Sequence, residues 1–194
     1  MAEFARLPAT ALEAARIWHE TDPDSAAALQ MVTALLVSAR RIDEAEPYLE
    51  KLLASKGTNA ENGFMQLNRL LAGNPDKQAN LRVVRKLAAA YPDMPESHFA
   101  ISQAALIAND DALALAEIRR ASQLKPDWDI AALYEAQILQ KKSPDDAARR
   151  LSTYLDQYPD KNDVRLNYAR LLVADKRYAE ARAQFEKLLA DNPN

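Results

Sequence analysis

Residues 176–190 read KRYAEARAQFEKLLA and residues 40–54 read RRIDEAEPYLEKLLA; the two segments agree at eight of fifteen positions and lie 136 residues apart, four times 34. A fixed internal period makes a chain a stack of equal supersecondary units, each burying its apolar face against the next. The prolines keep this beat. Pro92, Pro126, Pro159 and Pro193 are spaced by 34, 33 and 34 residues, and Pro23 precedes Pro92 by 69. Because a proline cannot continue a helix and commonly stands just after one, each marks the end of a unit. The one beat without a proline falls at Gly57 in SKGTN, where a glycine can end a helix through a positive φ.

Between beats, each unit carries two helical patterns separated by a short polar break. In the last unit Leu166, Ala169, Leu172 and Val173 recur at helical spacing, DKR follows, and Tyr178, Ala181, Phe185, Leu188 and Leu189 form a second apolar stripe. The same layout runs from Phe99 to Ala108, NDD, then Ala112 to Leu124. It recurs from Ile130 to Leu139, KKSPDD, then Ala147 to Leu155. In KKSPDD, Ser143 suits the N-cap, Pro144 the first helical position, and Asp145 and Asp146 the positive end of the helix dipole.

These hairpins resemble the tetratricopeptide repeats (TPRs), which place a large residue, a leucine and a small residue on the first helix and an alanine, an aromatic and a proline on or after the second. The last unit offers Tyr168, Ala169, Leu172, Ala181, Phe185 and Pro193 at those places, and the earliest complete unit offers Val32, Thr33, Leu36, Ala45, Leu49 and Leu52. The unit between residues 61 and 94 is the most degenerate, with Asn80 where the pattern wants alanine, so close packing of that helix pair is in question. The resemblance implies an all-α fold, a right-handed α-α superhelix of helix-turn-helix hairpins forming one solenoid over 1–194. A partial repeat at 1–25 is followed by repeats at about 26–60, 61–94, 95–127, 128–161 and 162–194, and residues 9–23 read as the second helix of the partial one. Small residues at Ala45, Ala114, Ala147 and Ala181 would let paired helices approach, while Leu49, Ile118, Leu151 and Phe185 fill the space beside them.

Composition narrows the function. With 25 basic and 28 acidic residues the surface is mixed in sign, without the basic stripe that phosphate binding requires, so no nucleic-acid partner is expected. The pairs Arg119–Arg120 and Arg149–Arg150 read first as solvated outer-face residues. The longest apolar runs, TALLV and ISQAALIA, fall short of the roughly 20 residues of a membrane helix, so no membrane insertion is expected in this segment. No cysteine is present, hence no disulfide or thiol chemistry and no lipid-attachment cysteine, and no signal peptide is read.

Candidate chemistry is sparse. His19 and His98 belong to no metal-ligand spacing and read as surface residues; the three glycines form no phosphate cradle; and Asp110–Asp111 and Asp145–Asp146 stand at helix starts, where acidic residues are expected for dipole reasons before any acid-base role. Trp128 reads as packing on the preceding repeat before it reads as a binding anchor. Neither a catalytic group, nor a metal, nor a cofactor is expected, and the chain is read as a non-enzyme.

The resemblance instead implies a concave groove, lined by the first helices, for a partner peptide or helix. Carried over unit by unit, the groove residues are Gln30, then Met65, Gln66 and Arg69, then Phe99, Gln103 and Leu106, then Leu133, Tyr134 and Gln137, then Asn167 and Arg170 beside Leu166. Gln30 and Ala34 occupy the places where family members that clamp a terminal carboxylate carry lysine and asparagine, which argues against that mode. This wall is apolar and amide-rich, suited to a partly apolar strand or amphipathic helix with Phe99 and Tyr134 as anchors; equally, Phe99, Leu133 and Leu166 could be core. A structural or assembly segment is the alternative function. The chain reads as an excised piece of a longer repeat protein, with the stripe around Phe185 and Leu189 open to end-to-end self-association. Its alanine-rich, YPD-punctuated style is that of long bacterial repeat proteins, which leaves the periplasm, on an outer-membrane lipoprotein parent, or the cytoplasm as locations.

Overall fold

Among the described residues the expected paired helical segments are realised as helices. The computed structural model describes residues 2–54 and 60–191, with side chains from residue 10 to residue 190 outside the gap. Gly57 and Pro193, two of the sequence's unit-end markers, lie outside the described residues. Those described form eleven α-helices and no strand: α1 (Ala2–Thr21), α2 (Ala26–Ser38), α3 (Ile42–Ala54), α4 (Ala60–Leu70), α5 (Lys77–Ala88), α6 (Pro95–Ile107), α7 (Asp111–Leu124), α8 (Asp129–Gln140), α9 (Pro144–Gln157), α10 (Asn162–Ala174) and α11 (Tyr178–Asp191).

The helices stop where the local chemistry stops them. After α2, α6 and α10 the chain turns through Arg40, Asn109 and Lys176, with φ of 61°, 61° and 60°. In each turn the next amide reaches back to a carbonyl of the last helical turn: Arg41 to Leu36 at 2.9 Å, Asp110 to Ala105 at 2.8 Å, and Arg177 to Leu172 at 2.8 Å. This is a Schellman closure, made here without glycine. Ser143 caps α9 by accepting from the Asp146 amide at 3.3 Å, with Pro144 in the first turn, as the KKSPDD break predicts. Asp146 pairs with Arg149 at 2.8 Å, and Asp111, in the first turn of α7, with Lys142 at 3.1 Å, so these carboxylates serve helix starts.

Two units pack separately, residues 1–110 with α1–α6 and residues 111–194 with α7–α11. In the first unit α1 lies on α2, α2 on α3, α3 on α5, and α4 and α5 on α6. The helix pair α4–α5 is opened: α4 winds into a 3-10 turn at Leu71–Gly73, and α4 packs far more on α6 than on α5. Asn80, buried where alanine is expected, fills the opening with its amide. Its Oδ1 accepts from Asn74 at 2.8 Å and its Nδ2 donates to the Leu71 carbonyl at 3.0 Å. In the second unit α8 packs on α9, α9 on α10 and α10 on α11, around a core containing Leu151, Tyr154, Val164, Tyr168 and Leu172. Ala45, Ala114, Ala147 and Ala181 are all 2% exposed or less, the close-approach positions the pattern requires.

Several polar residues differ from their sequence reading. His19 is buried, 6% exposed, with its ring edge-on to Tyr48 at 5.6 Å and Nε2 3.3 Å from the Lys51 ammonium; the aromatic of α3 covers it. His98 is half-buried, with Nε2 2.9 Å from the Pro92 carbonyl. Arg119 and Arg150 are more than solvated face: together they clamp the carboxylate of Glu135, which is 4% exposed on α8, Arg119 Nε donating at 2.9 Å and Arg150 Nε to the other oxygen. A carboxylate this deep requires charged donors, and the flanking helices α7 and α9 each supply one.

Candidate partner-binding groove

Five residues expected on the groove wall converge in the second unit. Leu133, Tyr134 and Gln137 of α8 face Asn167 and Arg170 of α10 across a groove of about 520 Å³, floored by Ala136, Leu151 and Leu171. On a helix, residues three and four apart share a face, which is how α8 presents 133, 134 and 137 together. The same face extends the lining to Ile130 and Gln140, and α10 adds Ala174 one turn beyond Arg170. Sequence reasoning missed these three, although each continues a face already read by one turn: Ile130 three before Leu133, Gln140 three after Gln137, and Ala174 four after Arg170. Ile130 is 43% exposed, an apolar side chain offered at the rim.

The groove is apolar with a small polar set. Arg170 is the only charged residue among those lining it, and among the described residues it has no acidic partner. Asn167 spends its amide N–H on its own helix, donating to the Asp163 carbonyl at 2.8 Å, and keeps its side-chain oxygen as an acceptor. Burial pushes the Tyr134 hydroxyl up to about 12, so the ring presents a neutral, half-buried face at ordinary pH. Such a surface suits a ligand with apolar side chains and a backbone or carboxylate for the amides and guanidinium to bond.

In the first unit Gln30 of α2 and Gln66 of α4 line a smaller groove of about 140 Å³ over Leu49, Leu53 and Leu67. Gly63 allows that approach, because a Cβ there would stand 2.6 Å from Leu53 Cδ2. Arg69 donates to Gln66 Oε1 at 3.2 Å, and the Gln103 side-chain oxygen is taken by Asn68 Nδ2 at 3.2 Å, a bond that ties α6 to α4. Met65, Arg69, Phe99, Gln103 and Leu106 line neither groove. Phe99 is 3% exposed, so its ring is packing rather than the partner anchor first read for it. Leu133 and Leu166 are half-buried.

No helix among the described residues is long and apolar enough to cross a membrane, and no group of three or more histidine, aspartate and glutamate side chains among them is placed to hold a metal ion.

Comparison with known proteins follows the same lines. The tetratricopeptide repeat family matches residues 139–194. A TPR repeat-containing protein of Pseudomonas aeruginosa is 30% identical over 176 residues, an alignment covering 87% of this chain and 28% of that protein, so the chain spans just over a quarter of its relative's length. Among solved structures, YrrB, a TPR protein with an unusual peptide-binding site, superposes with a TM-score of 0.52 at 16% identity over 95% of both chains. TTC0263, a thermophilic TPR protein of Thermus thermophilus, superposes with a TM-score of 0.54 at 18% identity, covering 89% of this chain and 95% of that one. At these identities the likeness is one of fold, the all-α solenoid of helix-turn-helix hairpins.

Proposed function

We propose that this chain, similar to tetratricopeptide-repeat proteins in its last repeats and in its fold, is a protein-interaction scaffold whose α8–α10 groove receives a partly apolar segment of a partner protein. The carrying observation is the convergence of Leu133, Tyr134, Gln137, Asn167 and Arg170 on one groove of about 520 Å³, a size suited to a few side chains. Tyr134 and Ile130 supply the apolar contact, and Gln137, Asn167 and Arg170 bond the partner's polar groups. The peptide-binding site named for YrrB is consistent with such a use of this fold.

A second reading, an assembly segment, is favoured by one observation: Tyr178 and Leu189 on α11 are 63% and 68% exposed. The two readings separate in one experiment. Peptides selected from a random display library on the intact protein are titrated by fluorescence into the native form, Tyr134→Ala and Arg170→Glu, with helicity checked by circular dichroism. The groove reading expects each variant to bind at least tenfold more weakly with helicity kept. Unchanged affinity removes Tyr134 and Arg170 from the site and moves the assembly reading ahead.

A further inference from the structure

The second unit has another cleft, of about 330 Å³, on the side of α10 that faces α9 and α11, lined by Ser152, Asp156, Arg165, Tyr168, Gln184 and Lys187 among others. None of these residues belongs to the groove between α8 and α10. The cleft is rich in hydrogen-bond donors, and the most buried of them, Arg165, lacks a charged acceptor. Arg165 is 6% exposed and carries a full charge, yet among the described residues no carboxylate meets it. Its two terminal nitrogens donate to neutral oxygens, the Pro159 carbonyl and Gln184 Oε1 at 3.0 Å, and its buried Nε has no partner. Tyr168, also 6% exposed, lines the same cleft, with Ser152 and Lys187 at its rim adding a hydroxyl and an ammonium. Asp156 is the single acid in the lining, against two cations, and it pairs with neither.

A buried guanidinium held only by neutral acceptors is costly, and a charged acceptor relieves that cost more than a carbonyl or an amide does. Gln184 is the replaceable member. It is a half-buried side chain on α11, and rotating its amide away frees the Arg165 terminal N–H for an incoming anion while its own NH2 becomes a further donor. We propose that this cleft is a carboxylate-binding site, in which an acidic residue or a chain terminus of a peptide replaces the Gln184 oxygen on Arg165, with the Tyr168 and Ser152 hydroxyls donating to it and Lys187 closing over it. The site stands independently of what the α8–α10 groove binds.

The test is a titration of the 15N-labelled full chain, followed by amide chemical shifts, with three short peptides: an acetylated and amidated Gly-Glu-Glu-Gly, the same peptide with glutamine for glutamate, and an acetylated Gly-Gly-Gly with a free C-terminal carboxylate. Saturable shifts of the Gln184 side-chain amide and of the Ser152 and Tyr168 backbone amides are expected with a carboxylate peptide and not with the glutamine peptide. Whichever carboxylate peptide produces them identifies the source as a side chain or a terminus. Lys187→Glu, at an exposed position that leaves the core intact, is expected to weaken binding at least tenfold, and Tyr168→Phe severalfold with helicity unchanged. Equal shifts from the glutamine peptide, shifts confined to α8 and the α10 face toward it, or affinity unmoved by Lys187→Glu would overturn the site.

Discussion

Tyr154 shows how much a single side chain sets in this molecule. It is 2% exposed, donates its hydroxyl to the Asp127 carbonyl at 2.7 Å and stacks at a tilt on Tyr158 at 4.9 Å. Burial, reinforced by the nearby Asp129 and Asp127 charges, pushes the hydroxyl up from 10.0 to about 12. A pKa raised on folding means that the neutral form is the one the fold accepts. Its contribution is complete below pH 10 and is lost as the pH climbs through about 12. A rise of that size corresponds to roughly 2 to 3 kcal/mol, and Tyr134, also pushed to about 12, adds in the same window. Urea unfolding between pH 8 and pH 12 is therefore expected to show a fall that Tyr154→Phe makes shallower by about 2 kcal/mol; an equally steep fall in the variant would remove Tyr154 as its source. At this scale the sequence was partly legible. Apolar periodicity marks Tyr154 and Leu151 as core, but it has no way to mark Glu135, His19 or Arg165 as buried. Their burial depends on what the neighbouring helices bring: two arginines, a tyrosine face, and a loop carbonyl with a glutamine.

Among the elements, α5 is the informative exception. Its Asn80 stands where Ala45, Ala114, Ala147 and Ala181 stand in their helices, and replacement by a family's usual residue commonly stabilises a protein. Here the opposite is expected. Asn80→Ala would remove two buried bonds, one from the Leu71 carbonyl, which keeps only the Asn74 backbone N–H, and one from the Asn74 side-chain amide, 1% exposed as a residue, which keeps only the Asp76 carbonyl. The cost is roughly 1 to 3 kcal/mol, read as a melting temperature lower by several degrees in thermal circular dichroism; a higher one would mean that α4 and α5 can close up as an ordinary pair. The asparagine was visible in the sequence as a departure, but its remedy was not, because the 3-10 turn at Leu71–Gly73 that presents the acceptor carries no periodic signal of its own. Helix starts and breaks were more legible, since Ser143, Pro144 and the acidic first turns act through bonds to adjacent residues. The positive-φ turns at Arg40, Asn109 and Lys176 were legible only as polar breaks, because glycine, the usual sign of that conformation, is absent from them.

On the scale of the molecule, the repeat period carried the fold, and it carried half of the second unit's groove as well. Residues at fixed places on successive first helices must meet when hairpins stack, which brings Tyr134 and Arg170 to one groove; the period says nothing of which ring is swallowed, as Phe99 is. It also says nothing of the α9–α11 cleft, built from side chains that differ from repeat to repeat. The period does bear on α11, whose stripe carries Tyr178 at 63% and Leu189 at 68% exposure beside the half-buried Phe185 and Leu188. Burying one large apolar side chain is worth about 1.5 to 3 kcal/mol, while association costs at least about 4 kcal/mol in lost freedom. Two such side chains on each of two copies therefore support contact only near millimolar concentration, where about 4 kcal/mol suffices. The weight-average mass in light scattering is expected to rise reversibly from roughly 0.05 to 1 mM and to stay at the monomer value for a Tyr178→Lys, Leu189→Glu variant of unchanged helicity. A native chain that remains monomeric across that range would show that the ion pairs flanking the stripe, Arg177 with Glu180 and Arg182 with Glu186, keep copies apart more strongly than the apolar stripe draws them together.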